Sequence, residues 1–242
     1  VVERFARSRH DPSLAVIEGF HALKHALRFG AEVLEAVAPD LGALDRLARE
    51  LAPDVAGRLA EVVAPVDAGL FRRLVPRGSA EVAAIARRPE AGVSEALVSG
   101  GPAPAVLLDS PRHPSNVGAA IRVAAAAGAR AVAVTGDQDP WHPAAIRGAA
   151  GLQFALPVGL VPALPASARP LVLIDPGRPA LDPRMLPDGA VLAFGSERRG
   201  LGEELRGRAD LSVGLPMRDG VSSINLAAAV AAVLYAWRLG RA

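Results

Sequence analysis

Four consecutive apolar residues, Val191-Leu192-Ala193-Phe194, run directly into Gly195-Ser196-Glu197, and no other junction constrains the fold of this chain as strongly. An apolar run of that length without alternation reads as a strand buried on both faces, the condition of a parallel sheet flanked by helices. Leu211 to Leu215 repeats the design and is stopped by Pro216. Beyond it, Ser222-Ser223 supplies helix N-cap chemistry, and from Ile224 onward the chain reads as an alanine-rich helix whose small side chains allow close backbone approach. Two strand ends and one helix start therefore converge at the edge of a sheet where open α/β folds bind ligands.

The preceding stretch follows the same plan. Ala105 to Leu108 is a buried strand ending at Asp109; Asn116 is expected to cap a helix over Val117 to Ala127, which Gly128 stops; Arg130 to Val134 is the next strand. Strand, loop, helix and strand in that order make a right-handed crossover. Gly118, on the first helical turn, lets a backbone approach either a ligand or the sheet. A short helix is expected at Ala144 to Ala150, and strands at Phe154 to Val158 and Leu171 to Ile174.

Three segments here carry a family resemblance. Asn116-Val117-Gly118-Ala119-Ala120-Ile121-Arg122 fits an Asn-x-Gly-x-x-x-Arg pattern. Gly195-x-Glu197-x-x-Gly200 is a second motif, and Leu215-Pro216-Met217 with Ser223-Ile224-Asn225-Leu226 a third. In this order they resemble the SpoU/TrmH branch of the SPOUT methyltransferases, α/β enzymes with a trefoil-knotted C-terminal parallel sheet that methylate an RNA ribose 2′-hydroxyl. The resemblance implies S-adenosyl-L-methionine as cofactor, held by Gly195, Leu215, Met217, Ser223 and Ile224. It nominates Arg122, Asn116, Glu197, Ser223 and Asn225 for the chemistry. It also implies a homodimer in which Arg122 of one subunit serves cofactor held by the other. Guanidinium stays protonated in proteins, so Arg122 is read as stabilising the developing alkoxide rather than as a base. Glu197 is either a loop anchor or a direct participant. His142-Pro143-x-x-Ile146-Arg147-Gly148-Ala149-Ala150-Gly151 resembles a further family segment, with Ala149 where serine is common; Arg147 there contacts RNA phosphate or packs.

Turn-rich segments near 88–104 divide the 242 residues into an N-terminal part, 1–97, and a catalytic part, 98–242. The first part opens with an arginine-rich tail. Strands are expected at Leu14 to Ile17, Val33 to Ala38, Val62 to Val66 and Val82 to Ala86; helices at Phe20 to Phe29, Leu41 to Leu51 and, capped by Asp67, Ala68 to Leu74. This alternation predicts a small α/β sandwich. Glu18-Gly19-Phe20-His21-Ala22-Leu23-Lys24 resembles the start of the RNA substrate-binding domain attached to many SpoU-type enzymes, so residues 1–88 are expected to select RNA without performing chemistry. Arg72, Arg73 and Arg77 stand where such domains present an RNA-facing loop; the other reading is a solvated charged turn.

Composition narrows the field by exclusion. Without cysteine there is no disulfide framework and no thiolate metal site. His21 and His25 lie one helical turn apart but lack the acids that would complete a metal site. A net charge of +2 does not by itself argue for nucleic acid. The N-terminal residues lack the apolar core of a signal peptide, and the uncharged run Ser222 to Trp237 falls short of the roughly 20 residues that span a bilayer. A cytoplasmic protein without metal or membrane is expected. Neither Gly-x-Gly-x-x-Gly nor Gly-x-x-x-x-Gly-Lys-Ser/Thr occurs, so dinucleotide and P-loop sites lack their phosphate cradles. A two-domain chain of this kind resembles the ribosomal-RNA enzymes before the tRNA ones. The alternative is a catalytically silent RNA-binding member of the same fold, whose mark would be loss of Arg122 or Glu197; both are present.

Overall fold

The computed structural model describes residues 1–75, 80–90, 92–166 and 169–241. Its backbone separates into two compact units, Val1–Glu90 with Trp141–Ala155, and Ala91–Pro140 with Leu156–Ala242. This differs from a division into 1–97 and 98–242 in two ways, and packing explains both.

The first unit contains α1 (Val2–Ser8), β1 (Leu14–Glu18), α2 (Phe20–Arg28), β2 (Val33–Ala38), α3 (Leu41–Leu51), α4 (Ala56–Val62), β3 (Val63–Pro65), α5 (Ala68–Leu74) and β4 (Ala83–Arg87). Its strands form a sheet in the order β1-β4-β2-β3, antiparallel except for the β2–β3 pair. The expected N-terminal tail is instead a helix. Phe5 on α1 is fully buried and belongs to the cluster of Val16, Val37, Phe71, Leu74 and Ile85, so one aromatic side chain docks the segment. The expected cap at Asp67 is present, its Oδ1 accepting from the amides of Gly69 and Leu70. α4, unforeseen from the sequence, carries one buried anchor, Leu59.

Residues 141–155 complete this unit. Ala145, Ile146 and Gln153 are fully buried, Trp141 meets Phe154 edge-on at 5.1 Å, and the Ala150 carbonyl lies 2.7 Å from Nδ1 of His25. Gly151 has φ +77°, and a Cβ there would stand 2.2 Å from the Ala22 carbonyl oxygen, so only glycine fits. The expected strand Phe154 to Val158 is displaced for this reason: Leu152–Ala155 is a 3₁₀ turn, and the strand begins only at Val158.

The second unit begins with α6 (Val93–Val98), followed by β5 (Ala105–Leu108), α7 (Pro114–Ala127) and β6 (Val132–Val134). After the excursion that contains α8 (Pro143–Gly148) come β7 (Val158–Leu160), β8 (Leu171–Ile174), β9 (Val191–Phe194), α9 (Glu203–Arg208), β10 (Leu211–Val213) and α10 (Leu226–Leu239). Val93, Ala96 and Leu97 of α6 are buried with Ala105, Leu107 and Leu173, which is why residues before 98 belong to this unit. All six strands are parallel, in the order β10-β8-β9-β5-β6-β7. Register aligns their ends: Leu108 pairs with Phe194, Phe194 with Ile174, and Ile174 with Val213. The next residues, Asp109, Gly195, Asp175 and Gly214, therefore stand in one row along the carboxyl edge.

α7 and α10 pack together through fully buried Ala120, Ile121 and Ala124 on one helix and Val230, Val233 and Leu234 on the other. Gly128, at φ +77°, ends α7, and the Arg238 guanidinium donates to the Ala127 carbonyl at 2.8 Å. Among the described residues no helix is long and apolar enough to cross a membrane.

Candidate active site

The row of strand ends opens into a cavity of about 360 Å³ within the second unit. Ile174, Asp175 and Phe194 form its floor; the loop Gly195 to Leu201 is one wall; Leu215, Met217, Ser223 and Ile224 are another. Ile224 is 45% exposed although apolar, so the wall it belongs to presents hydrocarbon to whatever enters. All five residues expected to hold the cofactor, Gly195, Leu215, Met217, Ser223 and Ile224, line this one space, as does Glu197.

The loop after β9 is closed on itself. Ser196 and Gly200 exchange backbone hydrogen bonds of 3.0 Å in both directions, and the Arg199 amide donates to Ser196 Oγ at 3.2 Å. A Cβ at Gly195 would lie 2.2 Å from the Gly200 carbonyl carbon and 2.4 Å from the Leu201 nitrogen. Glycine is thus demanded there by the loop's own backbone, and a larger residue would break the turn before it met any ligand. Gly214, at the end of β10, is similarly confined, 2.9 Å from the Arg178 carbonyl oxygen once a Cβ is added.

A directional chain of hydrogen bonds ties the three sequence motifs together. Asn225 is the N-cap of α10: its Oδ1 accepts from the amides of Ala227 and Ala228 at 2.9 and 3.3 Å. With Oδ1 occupied, its Nδ2 donates to Asn116 Oδ1 at 3.2 Å, and Asn116 Nδ2 donates to Glu197 Oε1 at 2.8 Å. The second carboxylate oxygen, Oε2, accepts from the Arg112 amide at 3.1 Å. Two helix-start expectations change accordingly. α7 starts at Pro114 with His113 as its N-cap, so Asn116 lies inside the first turn, where its side chain turns outward to Glu197 and Asn225. Likewise α10 is capped by Asn225, not by Ser222 or Ser223.

Burial raises the affinity of Glu197 for a proton. Hydrogen bonds from Asn116, its own backbone and the Arg112 amide, with the positive field of His113, outweigh it and hold the carboxyl below the ordinary glutamate value. Asp175, at the end of β8, behaves alike: burial pushes it up, and Arg206 at 2.5 Å and Arg178 at 3.4 Å bring it below the usual carboxylate range. Asp109, at the end of β5, bridges loops by accepting from the Gly202 amide and the Thr135 hydroxyl at 2.8 and 2.9 Å.

These two aspartates are structural members of the site that the sequence reading passed over. The signal was available, since each directly follows an apolar strand run in the row where parallel sheets bind ligands.

Arg122 is exposed on α7, and it does not line the cavity. Arg147 lies in the first unit, where its half-exposed side chain donates to Glu18 at 3.0 Å; the same carboxylate takes Arg9 at 2.8 Å. Arg72 and Arg73 are exposed in the last turn of α5; Arg77 lies outside the described residues. Among the described residues no group of three His, Cys, Asp or Glu is arranged to hold a metal ion.

An all-parallel sheet with a half-apolar cavity across its carboxyl edge defines an α/β domain built to bind a small molecule at its strand ends. The chain belongs to the SpoU rRNA Methylase family, whose model matches residues 103–235. A 23S rRNA (guanosine-2′-O-)-methyltransferase RlmB of Bordetella pertussis is 30% identical over 237 residues, covering 92% of this chain and 96% of the relative. The 23S rRNA (uridine(2479)-2′-O)-methyltransferase of Streptomyces viridochromogenes is 33% identical over 144 residues, 54% of this chain. That match covers 50% of the relative, and a further match, to an uncharacterized tRNA/rRNA methyltransferase of Synechocystis, covers 51%, so the chain spans about half the length of these two curated relatives. In fold, it matches the crystal structure of the SpoU methyltransferase AviRb from Streptomyces viridochromogenes in complex with AdoMet, with a TM-score of 0.79 over 98% of this chain and 97% of that one, at 23% identity. An RNA 2′-O ribose methyltransferase structure gives 0.75 over 99% and 95%, at 26% identity.

Proposed function

We propose that this protein transfers a methyl group from S-adenosylmethionine to a ribose 2′-hydroxyl of RNA, with ribosomal RNA its substrate before tRNA. The observation that carries the reading is the chain from Asn225 through Asn116 to Glu197, which holds all three motifs around one cavity. The donor set suits this cofactor: Leu215, Met217 and Ile224 offer an apolar wall, while the loop from Gly195 to Gly200 offers backbone groups. When bound, the cofactor supplies an electrophilic methyl group on a sulfonium centre.

The chain's part in the reaction is alignment and charge. An in-line displacement needs the hydroxyl held against the methyl group and a place for its proton. Arg122, always protonated, stabilises the developing alkoxide, and the proton passes to water or to an RNA phosphate. Asn116 and Asn225 already use their amides on each other and on Glu197, so we assign all three to positioning, not to contact with the reacting atoms.

The outward side of α10 supports a homodimer. Ala228, Ala232, Tyr235 and Leu239 are exposed on a helix with no acidic residue, and α10 packs on α7, the helix from which Arg122 projects. In such a dimer Arg122 would act at the partner's cavity, consistent with its not lining its own. We further infer that the close passages at Gly195 and Gly214 belong to the family's trefoil knot, that the first unit selects the RNA, and that the protein works in the cytoplasm.

Calorimetric titration with S-adenosylmethionine, followed by transfer of labelled methyl to deproteinised rRNA and tRNA, tests the proposal. Saturable binding and 2′-O-methyl product in rRNA are expected. Binding of RNA without binding of cofactor would replace it with the silent RNA-binding reading.

A further inference from the structure

Most arginines of the second unit are engaged: Arg184 with Asp182, Arg208 with Glu204, Arg241 with Asp188, Arg178 and Arg206 with Asp175 in the cavity floor, and Arg238 with a helix-end carbonyl. Among the described residues of this unit, the guanidinium groups of Arg112, Arg122, Arg198, Arg199 and Arg218 make no hydrogen bond or ion pair, and all are exposed. Arg122 projects from α7; the other four lie on loops that build the site. Arg198 and Arg199 line the cavity itself, and the Arg112 amide binds the Glu197 carboxylate immediately before them. Arg218 follows Met217 of the opposite wall.

The two carboxylates that line the cavity are already engaged. Both oxygens of Glu197 are taken by Asn116 and the Arg112 amide, and Asp175 is shared between Arg206 and Arg178. Two adjacent guanidinium groups with no counter-charge repel one another, and a solvated loop would gain nothing from placing them at a cavity mouth. Planar multiple donors are suited to the oxygens of a phosphodiester.

From these exposed, unpaired charges on the cavity wall we infer that Arg198 and Arg199, with Arg112 beside them, form a phosphodiester-binding rim that seats the RNA strand next to the nucleotide entering the cavity. The inference rests on the RNA-methylating reading and extends it to named side chains. These contacts set register along the strand and carry no base preference.

The test is direct binding to a short single-stranded RNA of mixed sequence, without cofactor, over a series of salt concentrations. Each phosphate contact to a single strand adds about 0.7 to the slope of log affinity against log salt, so Arg198→Ala with Arg199→Ala should lower that slope by about 1.4. Replacing both with lysine should restore most of it. Arg184→Ala removes one guanidinium from a paired site in the same unit and should leave the slope unchanged. Affinity for S-adenosylmethionine, measured by calorimetry on the same proteins, should not move. An unchanged slope in the double alanine variant overturns the rim. A loss of cofactor affinity with RNA binding intact overturns it in favour of a carboxylate anchor for the cofactor. A parent protein that binds RNA with the full slope yet transfers no methyl group would sink the proposed activity while leaving the rim standing.

Discussion

Replacing Glu197 with alanine removes the acceptor on which the amide chain terminates. It leaves the Asn116 amide and the Arg112 N–H without a partner, and through Asn116 it loosens Asn225 at the start of α10. A hydrogen bond to a charged acceptor contributes roughly 1.5–3 kcal/mol, but Glu197 is exposed enough for water to replace part of each, so about 1–2 kcal/mol in total is expected. For a chain of this size that corresponds to a fall of roughly 2–8 °C in melting temperature. Glu197→Gln should cost about half as much: its carbonyl still accepts from Asn116, but its amide then faces the Arg112 N–H. Acid supplies a second reading. The Glu197 carboxyl is held below the ordinary 4.5, so its contribution is complete above that value and is lost as pH falls from there through the folded value. Glutamine does not titrate, so the gap between parent and Glu197→Gln should close as pH is lowered. Differential scanning calorimetry across pH, with hydrogen exchange at the Arg112 amide, measures both effects. An alanine variant that melts with the parent and shows no faster exchange at Arg112 would refute the role given to the chain.

Gly195→Val should abolish measurable cofactor binding by breaking the turn, and exchange at the Ser196 and Gly200 amides should rise with it; retained protection with lost binding would mean the side chain blocks the ligand instead. Arg122→Ala should lower single-turnover methyl transfer by orders of magnitude with cofactor affinity nearly unchanged, because its contribution is made in the transition state. Arg122→Lys should recover part of that rate if charge alone matters and little if the planar fork is needed. Deleting residues 1–88 should give an insoluble or aggregating protein, because Trp141, Ala145, Ile146 and Gln153 lose the unit that buries them; a soluble, monodisperse product by light scattering would show that residues 141–155 can be left uncovered.

The strand ends of the site were legible because fully buried strands leave unbroken apolar runs, and Val191–Phe194 and Leu171–Ile174 lie where those runs stand. The cavity-lining residues could be read for the same reason, since each follows a strand end or precedes a helix. Capping was harder. Ser222, Ser223 and Asn225 are all competent N-caps, and only the reach of Asn225 to Asn116 selects between them. Short elements held by one to three buried residues left no periodic trace: α1 depends on Phe5, α4 on Leu59, and α6 on Val93, Ala96 and Leu97. The destination of residues 141–155 was invisible for a different reason. Its buried alanines and glycines carry no pattern that distinguishes one core from another.

That return segment bears on how the chain folds as it is made. Val1–Glu90 is synthesised before the second unit, yet Ile146, Gln153 and the glycine at 151 that close its core come 56 to 63 residues after Glu90. At translation speeds of about 5–20 residues per second, the N-terminal unit waits several seconds with part of its apolar surface uncovered. During that interval β5, α7 and β6 of the second unit are already being made. The N-terminal unit therefore cannot close its core until the opening strands and helix of the second unit have been made, so the two units fold in overlapping rather than successive intervals.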